Sequence, residues 1–387
     1  MKKIVSIVFL TMVISGNLFS QIGEKGKKLA NQPQIEANGF TVQKNNAATP
    51  VKDQARTGTC WSFSTSSLVE SQFIKNTNKT DIDLSEMFTV YNIYIEKAKN
   101  YVLRQGHAQF GEGGLGHDVI RAIATYGAMP QSAYSGLTEN EKVLNHSKLV
   151  VVLKDYLDNL IKSPPITDNW LEEYKKLLGQ AMGTPPVDFD YNGKKYTAKT
   201  FASEVLKFNS GDYVNITSFM HHPFYAPFII EVPDNFSNGS YYNIPVNDMV
   251  QLVKTAVNKG YTVLWDADVS NSGFINQSGL GLFVDRADQE NTKLATADDK
   301  ELDWNAALRQ KYYENLSTQD DHLMHITGIE KSKGGKEFFV VKNSWGTAGP
   351  YNGYINVSEA YFGMNTISLV VPKQAIDPAL LLKLGIK

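Results

Sequence analysis

The chain changes its hydrophobic period once, near residue 260, and no other feature restricts its architecture as strongly. Before that point apolar residues recur at helical spacing. In LSEMFTVYNIYIEKAKNYV (84–102) they are Leu84, Met87, Phe88, Tyr91, Tyr94 and Ile95, with Ser85 placed to start the helix. DVIRAIATYG, ended by Gly127, and IPVNDMVQLVKTAVNKG (244–260), ended by Gly260, repeat the pattern. After it, YTVLWDADV (261–269), MHITGIE (324–330), EFFVVKN (337–343) and GYINVS (353–358) are short, β-branched and aromatic, with glycine between them. Helices first and strands second predict an α+β fold in two lobes.

The remaining segments fall around those lobes. The opening MKK, the apolar IVSIVFLTMVI and the small, polar SGNLFSQ read as a secretory signal peptide over 1–20, cleaved near Ser20 or Gln21. The mature chain is therefore expected to be exported, to the periplasm or beyond. No later apolar run is long enough to span a membrane, so no stable insertion is expected once the signal is removed. Residues 21–48 are polar and aperiodic, an extended lead-in. A helical lobe over 49–137 is followed by Lys- and Leu-rich sequence broken by SPP (163–165) and TPP (184–186), giving a mostly helical insertion over 138–243. The strand-rich lobe covers 244–371, and VVPKQAIDPALLLKLGIK ends in a C-terminal arm or tail over 372–387. Lys+Arg 38 against Asp+Glu 40 leaves a formal net charge of −2, which offers nothing to a nucleic acid.

RTGTCWSFS (56–64) holds Cys60, the single cysteine of the chain. No disulfide can form within the chain, and a free thiol in an exported protein is a liability unless its reactivity is its use. The segment from Cys60 to about Asn76 reads as a helix although Ser62, Ser64, Thr65, Ser66 and Ser67 are poor helix formers on a surface. They suit a buried helix, where small hydroxyls bond back to the preceding turn.

Amide hydrolysis by a thiol needs a thiolate, which a helix N-terminus and a nearby imidazolium both stabilise. It also needs a base near neutral pH, a group to orient that base, and donors for the oxyanion. Cys60 at a helix start supplies the thiol and a backbone N–H, and Gln54 on the approach loop can add a side-chain N–H. His322, in Asp320-Asp321-His322, and Asn343, in KNSWG, sit on predicted strands of the other lobe, so a cleft between lobes would bring them to Cys60.

QARTGTCWSFS and VVKNSWGTAGPYNGYINVS resemble the two signature blocks of papain-like cysteine peptidases. The Gln-x5-Cys-Trp spacing, a histidine six residues before Gly328, and Asn-Ser-Trp-Gly agree in order. The resemblance implies a papain-like two-lobed fold, a helical lobe against a β-barrel-like lobe, acting on peptide substrates without a cofactor or metal. It implies Cys60 as nucleophile, His322 as general acid and base, Asn343 as orienter and Gln54 as oxyanion donor. Trp345 would shield the Asn–His bond, Gly113 and Gly114 would offer a backbone edge to the substrate, and Asp321 joins them as a substrate-binding residue. Thr57 stands where the disulfide-bonded papain branch carries a second cysteine. His322 also follows Cys60 by far more than the roughly 130–150 residues of the papain pattern, an excess on the order of 110–130 residues. These departures, and LSEMFTVYNIYIEKA, GEGGLGHDVIRAIATYGAMP and IPVNDMVQLVKTAVNKGYTVLWDADV, resemble the bleomycin hydrolase or aminopeptidase C branch. That branch implies an aminopeptidase whose C-terminal arm limits the cleft, and a homo-oligomer in the form of a hexameric ring.

Other readings stand beside these. Residues 372–387 fit a cleft-blocking arm or a helix docked on the body, and composition does not separate them. An open-cleft endopeptidase and a silent peptide-binding homologue share the same motifs. His325 competes with His322, but alternation on a strand sends the two to opposite faces. His221-His222 suggest a metal, yet adjacent histidines do not easily face one ion. EGG (112–114) lacks the Lys-Ser/Thr of a phosphate loop.

Overall fold

A computed structural model describes residues 39–139, 141–285 and 295–387. The signal peptide expected over 1–20 lies outside the described residues, as does the lead-in up to residue 38. The end of the lead-in forms strand β1, Phe40–Asn45. Helices Cys60–Thr77 (α1), Glu86–Leu103 (α2), Gly116–Tyr126 (α3), Leu149–Lys162 (α4) and Trp170–Met182 (α5) come next. Strands Phe189–Tyr191 (β2), Lys194–Tyr196 (β3), Tyr213–Thr217 (β4), Pro227–Ile229 (β5) and Ser240–Asn243 (β6) precede helix Val246–Asn258 (α6). Then come Val263–Ala267 (β7), Phe274–Ile275 (β8), Leu280–Gly281 (β9) and helix Ala306–Glu314 (α7). His322–Ser332 (β10), Glu337–Lys342 (β11), Tyr354–Ser358 (β12), helix Glu359–Asn365 (α8), Thr366–Pro372 (β13) and helix Pro378–Lys383 (α9) complete the chain.

Local signals explain the helix ends. Ser85 caps α2 by accepting from Phe88 N at 3.1 Å. Gly127 ends α3 at φ +88°, and a Cβ there would come within 2.2 Å of the Ala198 backbone, so only glycine fits both the turn and the contact. Apart from β2 and β3, which pair with each other, the strands join one mixed sheet in the order β5-β6-β4-β13-β7-β10-β11-β12-β9-β8, with β1 on β10. Alternation divides the core across it. Leu264, Leu323 and Val370 pack toward α1, α2 and α3, while Val263, Trp265, Met324 and Ile326 pack toward α6. This is the α+β architecture of the sequence reading, with the long strand β10 between the two cores.

The insertion over 138–243 carries α4, α5 and the short helical segments Ala198–Thr200, Phe201–Val205 and Ser210–Asp212, together with short strands that the sequence reading did not include, of which β4, β5 and β6 extend the main sheet. Val214 and Ile216 are the buried partners of Val371 and Leu369, so period-2 pairing with β13 captures a segment whose local composition gave no strand signal. The C-terminal residues take the docked reading. Leu380, Leu381, Leu384 and Ile386 pack on the α6 core, and Lys259 pairs with Asp377 at the base of α9. Apolar residues on one face of α9 are better buried on α6 than exposed along a wet cleft.

Glu330, on β10, is buried among Val42 and Phe338, and its Oε1 has no hydrogen-bond partner among the described residues. Burial pushes its carboxyl up to about 7. The folded chain therefore keeps a proton that the unfolded chain releases near 4.5. Its contribution to stability is full below that value and is lost as pH rises through 7. Glu330→Gln is expected to unfold like the wild type at pH 4 and to be more stable by ~2–3 kcal/mol at pH 8.5, read from urea transitions at both values.

Candidate active site

Cys60 is the first residue of α1, which runs buried through the helical lobe. Thr59 makes no side-chain cap and no acidic residue occupies the first turn, so the positive end of the helix is left to the thiol. The serines do what a buried helix needs. Ser64 Oγ donates to Cys60 O at 2.6 Å, Ser62 Oγ donates to Glu86 O at 2.9 Å, and Ser67 Oγ meets His325 Nδ1 at 2.9 Å. Trp61, fully buried, donates its indole N–H to Glu112 O at 2.9 Å and so fixes the glycine loop beside the thiol.

From the strand side, His322 Nε2 lies 2.7 Å from Asn343 Oδ1. The same oxygen accepts from Ser344 N at 2.8 Å, which identifies it as oxygen and makes Nε2 of His322 the donor. The proton is then on Nε2, and the lone pair on Nδ1 is free to act as a base. The Trp345 indole stacks on the imidazole with ring centroids 4.5 Å apart and 28° between planes. It covers the pair while remaining 37% exposed itself. Gln54 Nε2 donates to Thr57 O at 2.7 Å, and Gln54 Oε1 accepts from Ser344 Oγ at 2.6 Å. One N–H of the amide is thus spent on its own loop, and the second remains for the cleft that Gln54 lines. Thr57, in place of a disulfide cysteine, closes that loop by donating to Gln54 O at 2.8 Å.

A cleft of about 350 Å³ is lined by Gln54, Cys60, Gly113, Gly114, Asp321, His322 and Trp345, which brings seven of the eight sequence-predicted site residues together. Asn343 stands behind them at 4% exposure, through His322. Asp321 is held by accepting from Val269 N at 3.1 Å. Three residues were missed. Ser344 ties Gln54 to Asn343, and its place inside the Asn-Ser-Trp-Gly run was the available signal. Glu112 accepts from Gly58 N at 2.6 Å and steadies the approach to Cys60. Asp234 lines the cleft from the insertion, and nothing in its local sequence marks it.

Burial dominates the electrostatics. It pushes the Cys60 thiol up to about 12, with Asp320, Asp266 and Asp234 adding to the rise and the Leu323 backbone opposing it. Burial likewise pushes His322 down to about 4, against the Asn343 hydrogen bond and the Asp321 charge. Both shifts favour the neutral thiol and imidazole in the closed cleft. Asp320 itself is pushed up to about 7, first by burial and then by Asp234.

His325 faces α1, but at Ser67, two helical turns beyond Cys60. Depth along the helix, rather than strand alternation, keeps it from the thiol. His221 and His222 do converge on one group, Glu231, at 3.2 and 2.7 Å. Gln310 takes Met220 N–H on its Oε1 and donates from Nε2 to His221 Nδ1 at 2.8 Å, so the His221 proton sits on Nε2 and is given to Glu231. That donor set is a hydrogen-bonded cluster.

The fold and the site together are those of a cysteine peptidase. The chain belongs to the Peptidase C1-like family, whose model matches residues 107–384, and the papain family cysteine protease model matches residues 38–146. It is similar to aminopeptidase C of Lactococcus lactis subsp. cremoris, 23% identical over 94% of this chain and 88% of that protein. Aminopeptidase C of Listeria monocytogenes is 23% identical over 92% and 91%, and bleomycin hydrolase of Gallus gallus 23% over 84% and 81%. Among solved structures, PepW from Lactobacillus rhamnosis shares the fold, with a TM-score of 0.70 at 19% identity over 96% of this chain and 95% of that one.

Proposed function

We propose that this peptidase is an aminopeptidase working through an acyl-enzyme on Cys60. The observation that carries the chemistry is the His322 imidazole, bound at 2.7 Å to Asn343 and roofed by Trp345, in the cleft that holds Cys60. With Nε2–H committed to Asn343, Nδ1 takes the thiol proton as Sγ attacks the scissile carbonyl. The Cys60 backbone N–H and the second N–H of Gln54 receive the oxyanion. His322 returns the proton to the leaving amine, and the C–N bond breaks to leave a thioester. Water, deprotonated by the same nitrogen, then releases the acid and restores the thiol. The aminopeptidase C relatives support trimming from the amino terminus. The signal-like residues 1–20 support export of the mature enzyme.

The test is labelling of folded, reduced protein by a thiol-reactive peptide electrophile with a free amino terminus. Cys60 is expected to be modified stoichiometrically and Cys60→Ala not at all. An unlabelled Cys60 in active-condition buffer removes the nucleophile assignment.

A further inference from the structure

The insertion sends the loop 230–239 across the cleft. Asn235 braces it, its Oδ1 accepting from Gly239 N at 2.7 Å and its Nδ2 donating to Ile230 O at 3.0 Å. Ser237 fastens it to the start of α3, donating to Asp118 Oδ1 at 2.7 Å and meeting His117 Nε2 at 2.8 Å. Asp234 then reaches both walls. Its Oδ1 accepts from Gln109 Nε2 at 2.8 Å, and its carboxylate rests on Gly113 so closely that a Cβ there would stand 1.8 Å from Oδ2. On the opposite wall its backbone N–H faces the carboxyl of Asp320, two residues before His322. The loop is a crossbar from the glycine wall to the strand wall, and its carboxylate lines the same cleft as Cys60.

A peptide whose scissile carbonyl reaches Cys60 meets this carboxylate at one end of the cleft. The sign of the charge decides which terminus is admitted. A carboxylate repels a peptide's α-carboxylate and forms a charge-assisted hydrogen bond with an ammonium. A partly buried carboxylate also gains most from a cation, because burial has removed its water. The same cation offsets the charge of Asp234, which opposes ionisation of Cys60. An ammonium held there would therefore help the chemical step as well as binding.

We propose that Asp234 receives the free α-ammonium of the substrate, and that the insertion loop 230–239, rather than the C-terminal tail, closes the cleft and makes the enzyme an exopeptidase. This rests on the aminopeptidase reading above and adds the residue that enforces it. Asp234 is a specificity residue, supplied by a segment far in sequence from every catalytic motif.

The experiment compares wild type, Asp234→Asn and Asp234→Glu on aminoacyl and dipeptidyl reporter substrates, each free and N-acetylated, with one acetylated dipeptidyl reporter carrying lysine. Asparagine keeps the volume and the acceptor for Gln109 and removes only the charge. Wild type is expected to favour free over acetylated substrates by ~100-fold in kcat/KM, and Asp234→Asn to reduce that preference at least ~10-fold, the larger loss falling on the free substrates. Asp234→Glu is expected to keep part of the preference, which a purely structural contact would not. An unchanged preference in Asp234→Asn overturns the proposal, as does an equal loss on free and acetylated substrates. Loss confined to the lysine-bearing blocked peptide also overturns it, because the ammonium recognised would then be a side chain. If wild type itself does not distinguish free from acetylated substrates, the aminopeptidase reading fails first.

Discussion

His322→Ala is expected to lower kcat/KM by ~10⁴-fold or more, whereas His325→Ala keeps most of the activity and loses stability instead. The two histidines share β10 and differ in what they touch. His322 meets Asn343 at 2.7 Å in the cleft, and its removal would delete the base proposed for Cys60. His325 meets Ser67 at 2.9 Å and lies beside Lys342, which itself donates to Ser67 at 2.7 Å. Burial and the Lys342 charge hold His325 neutral, so alanine there opens a cavity and leaves the Ser67 hydroxyl with Lys342 as its remaining partner. Steady-state kinetics with active-site titration separates the two, since a destabilised but intact enzyme keeps its turnover per titrated thiol. Activity surviving in His322→Ala and vanishing in His325→Ala would reverse the assignment of the base.

Gln54→Ala is expected to cut kcat by ~10²–10³-fold with a smaller change in KM, the signature of a donor used in the transition state. Its side chain is nearly buried, and its amide is already oriented by Thr57 O at 2.7 Å and Ser344 Oγ at 2.6 Å. Such an amide has no reorganisation left to do when the oxyanion forms. Alanine also leaves the Ser344 hydroxyl without an acceptor, so ~1–2 kcal/mol of stability should go with it. Urea unfolding run beside the kinetics separates the two effects. A loss of less than 10-fold in kcat, in protein that is fully folded, would remove Gln54 from the oxyanion site.

The residues proposed for catalysis were legible through runs that resemble a family's signature blocks, and thiol chemistry restricts which residue types can stand in them. Cys60 after a glycine loop and before tryptophan, and Asn343 inside Asn-Ser-Trp-Gly, each carry their own local signal. Ser344 was hidden within that run, because its role appears only when Gln54 arrives from the other lobe to meet it. Asp234 had no signal of its own. Its value comes from lying on Gly113 and against Asp320, contacts that join three distant segments. The helices of 49–137 and the strands after 260 followed their periods, whereas β4 to β6 did not announce themselves. Short strands of three to five residues offer too few alternations to read, and they are decided by pairing, β4 with β13, β6 with β4 and β5 with β6.

Local period in the sequence was enough for the α+β class and for the buried serine-rich helix that presents Cys60. His322, Asn343 and Gln54 were singled out by the resemblance of their local runs to the signature blocks of papain-like peptidases, together with the few residue types that thiol chemistry tolerates. Tertiary structure decided what the ends of the cleft look like. It placed the apolar face of α9 on the α6 core, where burying leucines is favourable, and it carried a carboxylate from the insertion onto Gly113. Whether a chain segment docks or crosses a cleft depends on surfaces assembled from remote residues, and no local period records that.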